Sequence, residues 1–323
     1  MTTALITGIT GQDGYYLTER LLAEGVTVHG IVRSVTDIGL ADLPPQVAIH
    51  YGDLSSSQQI SDLIAHIQPD EIYNLGGLSS VAASWERPTL MGQINGIGAV
   101  AIMEAARKLQ ETAGKPVRVL QASSAEIFGY PDQTPQVETT TIRPMNPYGA
   151  SKAYAHFAAE VFRTHGLPVA TVILYNHESP RRPESFVTRK ITAGAARIAH
   201  DGGGTLALGN LDAKRDWGWA PDYVDAMIRA IRHPEPTDFV IATGQSHSVA
   251  DFVRLAFARV GISNWQDYIE IDPQFVRPAD APTHIGDASK ARRELGWVPS
   301  ITFDELVARM VDNDVALLRQ DSE

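Results

Sequence analysis

A chain of 323 residues with 44% hydrophobic and 20% charged side chains can bury a full core and hold one large or two linked domains, and it falls outside the disordered class. A formal net charge of −11 argues against a nucleic-acid or anionic-membrane partner, and the lack of cysteine excludes a disulfide framework, a thiolate metal site and a cysteine nucleophile. No apolar run reaches the roughly 18 residues of a membrane span, and no basic segment with an apolar core precedes the first strand, so a cytoplasmic enzyme is expected.

Short apolar runs at 4–7, 28–32, 48–51, 71–75, 117–122 and 169–174 read as strands. Between them, 15–23, 57–66, 91–112 and 148–165 carry helical periodicity. This alternation predicts an α/β fold, a doubly wound parallel (Rossmann) sheet with helices on both faces. Beyond residue 176 the pattern is irregular: a helix at 187–200, a glycine loop at 201–204, a strand at 205–208, a helix at 221–231, and a strand at 239–243 that could rejoin the main sheet. A helix at 249–260, a proline-containing stretch at 272–282 and a final helix near 304–318 follow. The expected division is a dinucleotide-binding domain over 1–175 plus about 211–245, and a smaller, discontinuous C-terminal substrate domain over 176–210 and 246–323.

Gly8, Gly11 and Gly14 follow the first strand and open the first helix, where glycine permits a tight turn and close approach of backbone N–H groups to a pyrophosphate. A purely structural turn is the alternative; the position after the first strand favours a dinucleotide. The second strand ends in Val32-Arg33-Ser34, with a fork-shaped cation and without the acid that NAD enzymes place there, which favours NADP over NAD. An exposed strand-end arginine is the bland alternative. Asp53-Leu54 suits an adenine contact, or a helix cap ahead of Ser55.

Ser124 and Glu126 follow the strand 117–122 at the sheet edge where ligands of doubly wound folds bind, as hydroxyl donor and acid or base, unless they only cap a short helix. Tyr148 and Lys152, four apart on one helix face, suggest hydride chemistry on a sugar hydroxyl, the ammonium lowering the phenol's pKa toward neutrality. Pro144 and Pro147 make a rigid lead into that helix. Arg181, Arg182, Arg189, Lys190, Lys214, Arg215 and Arg277 suit a diphosphate, or form a solvated charged face. The histidines show no metal-ligand spacing, and no metal is expected.

With these motifs in place, the chain resembles the extended short-chain dehydrogenases/reductases over nearly its whole length, and within them the GDP-mannose 4,6-dehydratase family. The most specific segments are ALITGITGQDG at 4–14, QPDEIYNL at 68–75, NHESPRR at 176–182, FVTRKIT at 186–192, RDWG at 215–218, DFVIATG at 238–244 and LGW at 295–297. The resemblance implies that Tyr148 deprotonates the sugar 4-hydroxyl while hydride leaves C4. Glu126 then takes the acidified C5 proton and helps water leave from C6, and hydride returns to C6, giving a GDP-4-keto-6-deoxy sugar. Ser124 stands where the family usually has threonine. NADP would be held by Gly8, Thr10, Gly11, Gln12, Asp13, Gly14, Arg33, Asp53, Leu54, Leu75 and Gly76, with Tyr148, Lys152, His177 and Arg182. The GDP-sugar would meet Ser80, Ser124, Asn176, Val187, Lys190, Arg215 and Arg277.

The chain also departs from that pattern. After Arg33 a short loop at 34–46 replaces the family's longer Arg- and Ser-rich segment, so a homodimer is expected, with a tetramer as the alternative. Leu78-Ser79-Ser80-Val81 and Trp219 differ from the family's residues, while the stretches at 79–85 and 143–152 resemble GDP-4-keto-6-deoxymannose reductases. A reductase and an NDP-sugar C4 epimerase are therefore the competing readings, ahead of a non-catalytic dinucleotide-binding relative.

Overall fold

The structure, a computed structural model, describes residues 2–275 and 284–320. Its main sheet is built from β1 (Thr3–Thr7), β2 (Thr27–Val32), β3 (Ala48–Tyr51), β4 (Glu71–Asn74), β5 (Arg118–Ser124) and β6 (Val169–Leu174). The strand Asp238–Ile241 does rejoin it, in parallel beside β6. The spatial order is Asp238–Ile241, β6, β5, β4, β1, β2, β3, and every pairing is parallel. The chain therefore winds outward from β1 to β3, then crosses back to β4. That reversal opens a crevice at the C-terminal ends of β1 and β4, where doubly wound folds bind ligands.

Parallel strands covered on both faces read as continuous apolar runs, and β6 is buried at every position. On one face, Leu17 and Leu21 of the helix Gln12–Ala23 pack with Tyr223, Met227 and Ile231 of Ala220–Arg232. Leu295 and Trp297 join the same core, and the Trp297 indole donates to the Asp222 carbonyl at 2.7 Å. On the other face, Ile60, Ile64, Ile102, Ala106, Ala155 and Ala159 pack from the helices Ser57–Ile67, Gly98–Ala113 and Pro147–Thr164. A separate core joins Val187–Asp201, Val249–Arg259 and Phe303–Gln320 through Ile191, Phe252, Phe257, Leu306 and Met310.

Two details depart from the sequence pattern. The helix expected over 91–112 comprises Pro88–Met91, a π turn at Gly92–Ile97 and then Gly98–Ala113. The wide turn lets Asn95 face inward, a common use of such turns at functional sites. Three short pairings were not expected: Asn176–Glu178 with Trp217–Trp219, Lys214–Arg215 with His247–Ser248, and the pairing partner Ile269–Ile271 of Leu206–Leu208. Segments of two or three residues are too short to display a strand period. Among the described residues no helix is long and apolar enough to cross a membrane.

Candidate active site

The glycine turn is tight because nothing larger fits. Gly8 has φ +70°, and a Cβ there would meet the Gly76 Cα at 2.8 Å. A Cβ on Gly14 would lie 2.4 Å from the Gly8 carbonyl oxygen. The helix then starts at Gly11 without a side-chain cap, leaving its first-turn N–H groups and positive dipole end for an anion. These residues fit a dinucleotide pyrophosphate. Thr10 lies against the loop after β2, where a Cβ on Gly39 would come within 3.0 Å of its carbonyl. Leu54 abuts Gly76, whose N–H donates to Thr7 Oγ1 at 2.9 Å just beyond Leu75. At the far end, the exposed Arg33 donates its backbone N–H to Asp37 at 2.8 Å. Asp53 accepts from the Ser55 N–H at 2.8 Å, and hydrogen bonds from Ser55, with a smaller contribution from Arg33, hold its carboxyl low.

Gln12 and Asp13 tie this turn to the segment after β6. Gln12 donates to the His177 carbonyl at 3.1 Å and accepts from Ser179 at 2.8 Å. Asp13 Oδ2 lies 2.8 Å from His177 Nε2, and His177 Nδ1 lies 2.7 Å from the Tyr175 carbonyl. Burial works against charge on both partners, but the pairing wins: His177 is raised and Asp13 lowered from their ordinary values. The imidazole also stacks on Tyr223 with centroids 4.6 Å apart.

Beside this clamp, the helix Pro147–Thr164 starts at Asn146, whose Oδ1 accepts from the Gly149 N–H at 2.8 Å. Its first turns carry Tyr148 and Lys152. The Lys152 Nζ donates to the Ala122 carbonyl at 3.0 Å and stands 5.9 Å from the Tyr148 ring centroid. The expectation that this ammonium brings the phenol toward neutrality is not met. Burial pushes Tyr148 up to about 12, against the Ser124 hydrogen bond, and pulls Lys152 down to about 8. Ser124 Oγ also accepts the Glu126 N–H at 3.2 Å, so the capping reading of Ser124 holds together with its contact to Tyr148. The Glu126 carboxylate accepts from Asn146 Nδ2 at 2.8 Å. Asn95, from the π turn, donates to Ser151 Oγ at 3.2 Å and exchanges hydrogen bonds with the Leu78 backbone.

The cations are distributed more widely than their run in sequence suggests. Arg182 pairs with Glu178 at 3.2 Å and acts electrostatically on Asp13, His177 and Tyr148. Arg181 covers Tyr15 and Arg189 pairs with Asp314, both structural roles. Lys190 lies 3.4 Å over the Phe275 ring, one turn along from Val187 at its helix start. Ser80 caps the short helix Val81–Ser84. Asn176 is exposed opposite Trp217. Arg215 sits on a strand that bridges to His284, and both it and Glu126 act on that buried imidazole, which burial pushes down. Arg277 lies outside the described residues.

Sequence reasoning missed four polar residues here. Asn146 was visible as a cap signal before proline; its bond to Glu126 was not. Asp216 is fully buried and accepts from Thr243, Gly244 and Gly286 backbone N–H groups, fixing the strand that carries Arg215. Asn95 and His284 gave no local signal.

The same architecture occurs in the UDP-glucose 4-epimerase of Thermotoga maritima, solved with UDP-glucose: TM-score 0.87 at 22% identity, covering 100% of both chains. Closer in sequence are GDP-mannose 4,6 dehydratase 1 of Arabidopsis thaliana, 43% identical over 98% of this chain and 91% of the relative, and the human GDP-mannose 4,6 dehydratase, 40% identical over 98% and 92%. The family model described as GDP-mannose 4,6 dehydratase matches residues 5–310, so that the chain belongs to the GDP-mannose 4,6-dehydratase family.

Proposed function

We propose that the chain catalyses NADP-dependent 4,6-dehydration of GDP-mannose or a closely related GDP-sugar. The observation that carries this is the convergence of Ser124, Glu126, Tyr148 and Lys152 beside the glycine turn, close enough for the Asp13 charge to act on both Tyr148 and Lys152. A bound nicotinamide supplies the hydride acceptor for C4 and the donor for C6. Tyr148, hydrogen-bonded to Ser124, takes the proton of the 4-hydroxyl. The 4-ketone acidifies the C5 proton, which Glu126 accepts and then gives to the departing C6 hydroxyl, releasing water; as hydride enters C6, the proton held by Tyr148 goes to C5. The glycine turn, Asp13 and Arg33 hold the dinucleotide, with the Arg33 guanidinium favouring a 2′-phosphate. His177 serves that site through Asp13. The C-terminal lobe takes the GDP-sugar, with Asn176, Val187, Lys190 and Arg215 around it; the resemblance adds Arg277, which lies outside the described residues. The cysteine-free composition suits a reducing cytoplasm, and the working assembly is a homodimer.

Incubation with GDP-mannose and a catalytic amount of NADP tests the reading. A 4-keto-6-deoxy product without net cofactor consumption supports it. Stoichiometric oxidation of reduced cofactor by a GDP-4-keto-6-deoxy sugar, with no dehydration of GDP-mannose or related GDP-sugars, would replace it with the reductase reading.

A further inference from the structure

The cap of the Tyr148 helix has a second arm. Asn146 Oδ1 accepts the Gly149 N–H at 2.8 Å, while its Nδ2 donates to Glu126 Oε2 at 2.8 Å. The two partners fix the amide's orientation, since an N–H demands the oxygen and a carboxylate demands the nitrogen. Among good capping side chains, aspartate offers no donor when ionised, and serine is too short to span both partners. The surrounding backbone is equally tight: a Cβ on Gly149 would lie 2.5 Å from the Glu126 carbonyl oxygen. Glu126 is thus anchored on the helix that carries Tyr148. The two groups would work on adjacent sugar carbons, so their relative placement has to be fixed.

We propose that Asn146 is a positioning residue that holds the Glu126 carboxylate for proton transfer at C5. The inference rests on the dehydratase reading above and deepens it. It separates two parts of the reaction: C4 oxidation depends on Tyr148, and C5 deprotonation depends on the Asn146–Glu126 bond.

The test uses Asn146→Ser, which keeps a capping oxygen without the second arm, and Asn146→Asp, which keeps shape and cap but replaces the donor. Each protein is mixed with GDP-mannose and NADP in deuterium oxide. Formation of reduced cofactor, deuterium at C5 and ketosugar release are followed, together with thermal melts. Both variants are expected to melt close to wild type and to oxidise C4 at a near wild-type rate with unchanged KM. Deuterium exchange and kcat should fall by about 100-fold, as for a misplaced reacting group, and reduced cofactor should accumulate. If both steps slow together, or neither slows, in folded variants, Asn146 has no positioning role. If wild type makes no ketosugar, the dehydratase reading fails and this inference falls with it. If wild type turns over and the variants lose both steps alike, the inference alone is overturned.

Discussion

His177 bridges two oxygens of the fold: Nε2 lies 2.8 Å from the Asp13 carboxylate and Nδ1 lies 2.7 Å from the Tyr175 carbonyl. The Asp13 carboxylate and the Tyr175 carbonyl both favour the charged ring, so a half-buried pair holds the glycine turn to the segment after β6. His177 lies above its ordinary 6.5 and Asp13 below its ordinary 3.8. The histidine contribution is complete below the unfolded value and is lost as pH rises through the folded one. The aspartate contribution is present above its unfolded value and is lost as pH falls through the folded one. Asp13→Asn should therefore cost about 3 kcal/mol near pH 5, where both groups are charged, and less as His177 loses its proton. Denaturant melts over a pH series measure this, and a pH-independent difference would contradict the ion pair.

Tyr148 is expected to be indispensable for the first step. Tyr148→Phe keeps the ring's packing and removes the hydroxyl that Ser124 contacts, so C4 oxidation should fall by about 10²–10⁴-fold while the melting temperature hardly moves. Burial pushes the phenol up to about 12 and Lys152 down to about 8, so added positive charge at the site would favour proton acceptance near neutral pH. Oxidised dinucleotide should accordingly lower the Tyr148 pKa, read as tyrosinate absorbance in a titration of wild type against Tyr148→Phe. An unchanged titration on binding would remove this role for the cofactor's charge.

The strands and the glycine turn were legible in the sequence because their signals are local: buried parallel strands are continuous apolar runs, and Gly8 and Gly14 occupy positions where a Cβ collides with backbone. Tyr148 and Lys152 were legible for the same reason, sharing one helix. What could not be read were contacts between distant segments. His177 lies 164 residues from Asp13, and that distance in sequence carries no periodic signal. The prolines announced the helix start, but the hold of Asn146 on Glu126, 20 residues away, depends on how the turn after β5 packs against that start. Lys152 misled in its charge effect because helix spacing says nothing about burial, which dominates both its pKa and that of Tyr148.

The proposed preference for NADP rests on the end of β2. Arg33 is exposed there, with its backbone N–H on Asp37 and its charge acting on Asp53, and the proposal has its side chain meet a 2′-phosphate. Arg33→Ala should weaken NADP binding by about tenfold, in the range of one lost charge-assisted hydrogen bond, and leave NAD binding nearly unaltered. Calorimetric titration of both dinucleotides checks this; equal losses for the two would assign Arg33 elsewhere.

The assembly prediction starts from the outer face of the helix Pro147–Thr164. Tyr154, Phe157 and Val161 are 53%, 49% and 56% exposed, and their spacing of three and four places them on one stripe. Ile97, also 53% exposed, follows Gly96, where a Cβ would come within 2.9 Å of the Tyr154 ring, so the stripe continues onto the neighbouring helix. Large apolar side chains gathered on two adjacent helices favour a self-complementary contact with a second copy about a two-fold axis, and a stable one needs about 800 Å² per partner. Phe157→Glu places a charge in the middle of that stripe, where burial without a partner is unfavourable. Sedimentation should show wild type as a dimer and Phe157→Glu as a folded monomer, because the substitution points away from the sheet. A wild-type monomer at micromolar concentration, or a variant that stays dimeric, would move the interface to another surface.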